Sequence, residues 1–180
     1  MAKFPGFRRE ALLCLAGDVN AAAEKIIAQL GLARLPQEDG FFRQVWLTPA
    51  SVDGRAAGSG IWYLLTPEVL SALHRLQAEE SWRFLGGDPV EHVSLDPRDG
   101  RTWVTVLGAE ARLSHRPELT VPGGVWQGAR LKAGAGPHGW ALLSCTLRPA
   151  WDEKEFELGS RAALEREFPG AREWIGALTR

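Results

Sequence analysis

His74 and Glu80 are the two residues of this 180-residue chain best suited to chemistry. An imidazole beside a carboxylate can exchange protons near neutral pH, so His74 reads as a general base oriented by Glu80. Side chains alternate across a strand. Along a regular strand, residues 74, 76, 80, 82 and 84 all face one way, which brings Trp82 and Phe84 to the same side as the pair. Arg43, beside Phe41 and Phe42, could grip a carboxylate or phosphate in bidentate fashion, or serve as a salt-bridge partner. Arg75 is a second candidate for an anion. Tyr63 is either a pocket hydroxyl able to act as an acid or a buried ring with one hydrogen bond. Cys145, in Leu142-Leu143-Ser144-Cys145, reads as inert packing rather than a nucleophile. His92, His115 and His138 have no partner at a useful spacing and read as surface or strand residues. The chain has no Gly-x-x-x-x-Gly-Lys loop, no Gly-x-Ser-x-Gly elbow and no Cys-x-x-Cys pair, which argues against those chemistries.

Composition narrows the class. The chain is 45% hydrophobic and 24% charged with a net charge of −1. That is ordinary for a globular domain and gives no reason to invoke nucleic acid or an acidic membrane. The two cysteines, Cys14 and Cys145, lie far apart, so a reducing cytoplasm is expected rather than a disulfide framework. Phe7 to Ala16 faintly resembles a signal peptide, but Glu10 interrupts it and no small-x-small cleavage site follows before Asp18. No apolar run approaches the ~20 residues of a spanning helix. Tryptophan is the outlier, with eight residues at 46, 62, 82, 103, 126, 140, 151 and 174. Rings of that size are expected to fill a barrel interior or a sheet interface, with some lining a ligand pocket.

These residues must be held by elements that the pattern also predicts. Residues 1–19 read as an N-terminal extension with a short helix around Arg9 to Leu15, and 20–180 as one domain. Asp18 is expected to cap a helix over Val19 to Leu30, whose stripe is Ile26, Ile27 and Leu30 and whose stop is Gly31. Pro36 to Gly40 reads as a turn. Strands are predicted at Phe41–Leu47, Gly60–Leu65, Ser81–Leu85, Glu91–Leu95, Trp103–Val106, Glu118–Val121, Val125–Leu131 and Trp140–Leu147. Turn sequences separate them, among them Asp53-Gly54, Gly86-Gly87-Asp88-Pro89 and Gly123-Gly124. Helix returns at Ser160–Glu167 and Ala171–Leu178. Short strands at close spacing suggest a sandwich, barrel or jelly roll.

Two stretches, His74 to Pro89 and Val121-Pro122-Gly123-Gly124-Val125-Trp126-Gln127, resemble the signature strands of the cupin superfamily. The family pattern runs His-x-His, Glu, six residues, Gly, and later Pro-x-Gly-x-x-His. Here His74, Glu80 and Gly87 fit, Leu76 stands at the second His, and Gln127 at the last. Further marks bring the chain closest to the cupin-5 family as a divergent member: Glu38-Asp39-Gly40-Phe41-Phe42-Arg43, Ile61-Trp62-Tyr63-Leu64-Leu65, Ser71-Ala72-Leu73-His74-Arg75 and Cys145-Thr146 with Pro149. Arg83 stands where the family usually has His, and alternation turns it away from Glu80.

The resemblance implies a mainly β fold, a cupin-like jelly-roll β-barrel with N- and C-terminal helices, commonly homodimeric, with a pocket at one mouth. The leading reading of the residues is a small-molecule pocket inside that barrel, with a polar floor of His74, Glu80 and Gln127, walls of Trp82, Phe84 and Tyr63, and Arg43 or Arg75 to receive an anion. No cofactor is favoured. A divalent metal would have only His74 and Glu80 as strong ligands, since Leu cannot ligate and a Gln carbonyl is poor. The readings left open are a binding protein, an isomerase or epimerase using His74 as base, and a metal enzyme with a depleted ligand set.

Overall fold

The computed structural model describes residues 20–50 and 54–179. The expected extension 1–19, its helix around Arg9 to Leu15, and the caps or turns placed on Asp18 and Asp53 lie outside the described residues.

Helix α1 spans Ala21–Leu30 and begins two residues later than expected. Asn20 is its N-cap, and its side-chain oxygen accepts from the backbone N–H groups of Ala22 and Ala23. Gly31 closes it in the left-handed conformation at φ 62°.

The β core is two antiparallel sheets. The strands, in chain order, are β1 (Ala33–Arg34), β2 (Phe41–Leu47), β3 (Ser59–Leu65), β4 (Ser71–Leu76), β5 (Glu79–Gly87), β6 (Val90–Asp96), β7 (Arg101–Leu107), β8 (Glu118–Val121), β9 (Trp126–Leu131), β10 (Ala141–Arg148) and β11 (Phe156–Leu158). One sheet runs β1-β2-β3-β10-β5-β8 and the other β11-β4-β9-β6-β7. They form the expected jelly-roll barrel. Every predicted strand is present within a residue or two at each end, and β1, β4 and β11 are additional.

The extra strand β4 corrects the reading of the first signature stretch. His74 and Glu80 do not share one continuous strand. The chain turns at Gln77-Ala78 and crosses to the other sheet, so His74 sits on β4 and Glu80 on β5. Both side chains are nevertheless buried, because the two sheets face each other across the interior.

Helices cover both outer faces. Ile26, Ile27 and Leu30 of α1 pack on Leu32, Phe41, Leu64 and Val69. Helices α2 (Arg161–Glu167) and α3 (Arg172–Leu178) lay Leu164, Ile175 and Leu178 on Leu73, Val93, Leu95 and Trp126 of the five-stranded sheet. The interior is filled by Tyr63, Leu65, Trp82, Val90, Leu107, Ala129, Leu143 and Cys145. Tryptophan therefore serves three places: Trp82 is interior, Trp126 lies under the C-terminal helices, and Trp46 and Trp151 are exposed.

Candidate functional site

The polar members of the interior come from five strands and one turn. His74 (β4), Glu80 and Trp82 (β5), His92 and Ser94 (β6), Gln127 (β9) and Tyr63 (β3) are all buried. Alternation explains the selection. On β6, Val93 and Leu95 pack against the helices, leaving His92 and Ser94 to face inward. On β9, Trp126 packs against the helices and Gln127 turns the other way.

Gln127 clasps two signature residues together. Its Oε1 accepts from the Trp82 indole N–H at 3.0 Å, and its Nε2 donates to Glu80 Oε2 at 2.7 Å. The motif glycine that follows, Gly87, has φ 97°, and a Cβ there would sit 2.2 Å from the Trp140 carbonyl oxygen. That position admits only glycine, which is the physical content of the Glu80 to Gly87 spacing.

His74 is held on two sides. Its Nδ1 lies 2.9 Å from Glu38 Oε2 and 2.8 Å from the Ala72 carbonyl oxygen. Both are acceptors, so Nδ1 carries the proton. Its Nε2 faces Glu80 Oε2 at 4.0 Å, and Phe156 stacks on the ring at 5.6 Å. Burial opposes the charged form, but the Glu38 and Glu80 carboxylates outweigh it and push the imidazole pKa up to about 10. A pKa raised that far favours the imidazolium at neutral pH, which suits His74 to donating a proton. Burial raises the Glu80 carboxyl above its usual range, against the opposing pull of His74.

Glu38 was given no role in the sequence reading, where it stood in a turn and opened one of the family's marks. The turn packs against β3 and β4. The Glu38 carbonyl accepts from Ala72 N–H at 2.8 Å, its carboxylate accepts from the Ser71 hydroxyl at 2.9 Å, and the Tyr63 hydroxyl donates to the Asp39 carbonyl at 2.9 Å. Gly40, at φ 80°, lies so close that a Cβ would meet the Tyr63 ring at 2.4 Å. Tyr63 is fully buried, and burial lifts its pKa well above the ordinary value.

His92 was also missed. It is fully buried, its ring meets Trp82 edge to face at 5.0 Å, and its Nε2 has no hydrogen-bond partner. Burial pushes its pKa down to about 3, so it is neutral. A lone histidine within a strand carries no spacing signal, so its type and parity alone could have raised it. His115 is likewise buried rather than surface.

Two predicted residues stand elsewhere. Arg43 is exposed, donates to the Leu30 carbonyl at 2.9 Å and lies over Trp62. Arg75 is turned outward, stacked on Trp126 and paired with Glu157. Neither joins the cluster, because both occupy the outward parity of their strands. Phe84 is half-buried and packs on the interior cluster, past a bulge at Leu142/Leu143. Arg83 faces out and pairs with Glu118 at 2.8 Å, as alternation required. Cys145 is buried with its thiol pKa raised by burial, which suits packing.

The donor set does not fit a divalent ion. Leu76 packs with Ala78, Leu147 and Phe156, and Gln127 turns its amide nitrogen, not its oxygen, toward Glu80. Among the described residues no three His, Cys, Asp or Glu side chains converge as a metal site. Two concavities at the surface lie outside the barrel. One crosses the six-stranded sheet near Trp46 and Arg83, the other lies near Arg55 and Trp151, and neither reaches His74.

Comparison with known proteins agrees with this architecture. The family model Cupin_5, described as cupin superfamily (DUF985), matches residues 24–159. A hypothetical protein from Leishmania major is 29% identical, with a TM-score of 0.78 over 87% of this chain and 98% of its own. A protein from Shewanella oneidensis is 29% identical, with a TM-score of 0.80 over 88% of this chain and 97% of its own. A cupin 2 conserved barrel domain protein from Rhodopseudomonas palustris, 14% identical with a TM-score of 0.53 over 83% and 91%, shares the fold. No curated protein matches the chain.

Proposed function

The chain belongs to the Cupin_5 family of the cupin superfamily, and from that premise we propose that it binds a small molecule inside its barrel, at the His74–Glu80–Gln127–His92 cluster. One observation carries this reading. His92 Nε2 is buried without a partner among otherwise satisfied groups. An unsatisfied buried polar atom costs ~1–3 kcal/mol, and a ligand atom that meets it recovers that cost. Perturbed titratable groups are concentrated at the same place, as they are at functional sites.

The ligand enters past the turn Pro36–Gly40, where Glu38 is the cluster member with the most exposed side chain. Native mass spectrometry of the freshly purified protein tests the reading. An organic mass released on denaturation supports it; a bare polypeptide mass, together with no thermal shift from a metabolite panel, rejects it.

A second reading is favoured by the Glu38–His74 contact. A carboxylate on Nδ1 fixes the tautomer and leaves Nε2 as the working atom, which is the arrangement of a positioned acid in an isomerase-type enzyme. In that case His74 gives a proton at Nε2 rather than taking one. Turnover lost in His74→Ala with ligand binding retained would distinguish the enzyme from the binding protein. Homodimerisation and a cytoplasmic location complete the proposal, and sedimentation velocity would check the first.

A further inference from the structure

We infer that the barrel site takes a small uncharged ligand bearing a carbonyl or hydroxyl oxygen, met by Nε2 of His92 and Nε2 of His74, and that it turns anions away. This rests on the interior-ligand reading above and names the chemical class that reading leaves open.

The charges inside the barrel decide against an anion. The cluster has one cationic group, His74, and two carboxylates, Glu38 and Glu80, face it from opposite sides. The two arginines that the sequence offered as anion receptors are outside: Arg43 bonds the Leu30 carbonyl and Arg75 pairs with Glu157, while Arg83 also faces out and pairs with Glu118. The remaining groups around His74 are uncharged. Tyr63 and Cys145 keep their protons because burial lifts both pKa values, and burial holds His92 neutral. Ser71, Ser94, Trp82 and Gln127 carry no charge. A ligand carboxylate or phosphate would therefore bring a third negative group to a single imidazolium, away from water. Like charges at contact distance in such a setting weaken binding on the order of 100-fold or more.

Unused hydrogen-bonding capacity says what does fit. Gln127 spends its oxygen on Trp82 and an N–H on Glu80. His74 spends Nδ1–H on Glu38 and the Ala72 carbonyl. Beyond these, His74 Nε2 faces Glu80 Oε2 at 4.0 Å as an ion pair rather than a close hydrogen bond, Gln127 keeps a second N–H, and the Nε2 of His92 has no partner. A hydroxyl can donate to one ring nitrogen and accept from another, and a carbonyl oxygen can accept from either. The interior is filled by Trp82, Tyr63 and Leu143, so the ligand has few heavy atoms.

The test is NMR of protein labelled with 15N in its histidine rings, titrated with hydroxyacetone, acetate and inorganic phosphate. Hydroxyacetone should shift the His74 and His92 ring signals saturably, while acetate and phosphate at the same concentration leave both in place. In Glu38→Gln, which removes one of the two negative charges, acetate should gain at least tenfold in affinity for the cluster. Acetate or phosphate binding the wild-type rings as tightly as hydroxyacetone overturns the inference and leaves the interior-ligand reading standing. Ring signals that no probe moves, in protein that also carries no extractable molecule, overturn both. The wild-type comparison decides the matter even where Glu38→Gln does not fold.

Discussion

Replacing Gln127 by leucine should cost more than a surface change in a domain of this size. The structure gives the reason. Gln127 Oε1 is the acceptor for the buried Trp82 indole N–H at 3.0 Å, and its Nε2 is a donor to buried Glu80 Oε2 at 2.7 Å. Leucine matches the volume but supplies neither atom. Both partners are then left without that bond in a buried site, and each orphaned group costs ~1–3 kcal/mol, for a total of about 2–6 kcal/mol. At ~2–4 °C per kcal/mol for a chain of this length, the midpoint of thermal unfolding should fall by roughly 4–24 °C. Urea titration of both proteins by tryptophan fluorescence measures the loss directly, with an unchanged slope showing that the native fold is kept. Gln127→Glu keeps an acceptor for Trp82 but sets a second carboxylate beside Glu80, and should also destabilise, with a deficit that shrinks as pH falls and that pair takes up protons. A loss below about 1 kcal/mol in Gln127→Leu would refute the claim that this residue clasps the site, since one unsatisfied buried donor alone costs that much.

Three further outcomes are expected. Stability should fall on both sides of neutrality for reasons set by two histidines: His74, raised to about 10, contributes below its ordinary value of 6.5 and loses that contribution as pH climbs toward 10, whereas His92, held to about 3, loses its contribution as pH drops from 6.5. Urea midpoints across pH should therefore show a shallower alkaline limb in His74→Leu and a shallower acid limb in His92→Phe; unchanged limbs would contradict the assignments. Gly40→Ala places a Cβ 2.4 Å from the Tyr63 ring at a φ of 80°, so it should lose roughly 1–3 kcal/mol in the same assay, and near-neutrality would show that the turn can move aside. Cys145, buried with a raised thiol pKa, should resist iodoacetamide in native protein and react on unfolding, as mass spectrometry of the tryptic peptide would show.

The parts of the fold that the sequence predicted well are those with a clear alternation or a turn signal, such as β2, β8 and β10. Strand β4 was lost because almost all its residues are buried: His74 faces the interior and Leu73 the C-terminal helices, so Ser71–Leu76 shows no polar face to alternate with. Asn20 was passed over as a cap because Asp18 is an equally good cap residue two positions earlier, and local chemistry alone does not choose between them. In the site, His74, Glu80 and Gln127 were legible because a spaced motif carries them. Glu38 and His92 were not. Glu38 reaches His74 across 36 positions of sequence, from a turn whose only local signal was its Pro and Gly, and His92 acquires meaning from the ring of Trp82 on a strand of the opposite sheet. Arg43 and Arg75 looked like anion receptors by type, and their outward parity decided otherwise.

A crystal structure of the protein as purified, at a resolution that separates water from organic density, tests the central claim most directly. The account predicts non-water density of a few atoms within hydrogen-bonding distance of His92 Nε2, close to His74 and Glu80. A dry cavity wall there, a single water with no further density, or a metal ion ligated by His74 and Glu80 would contradict it.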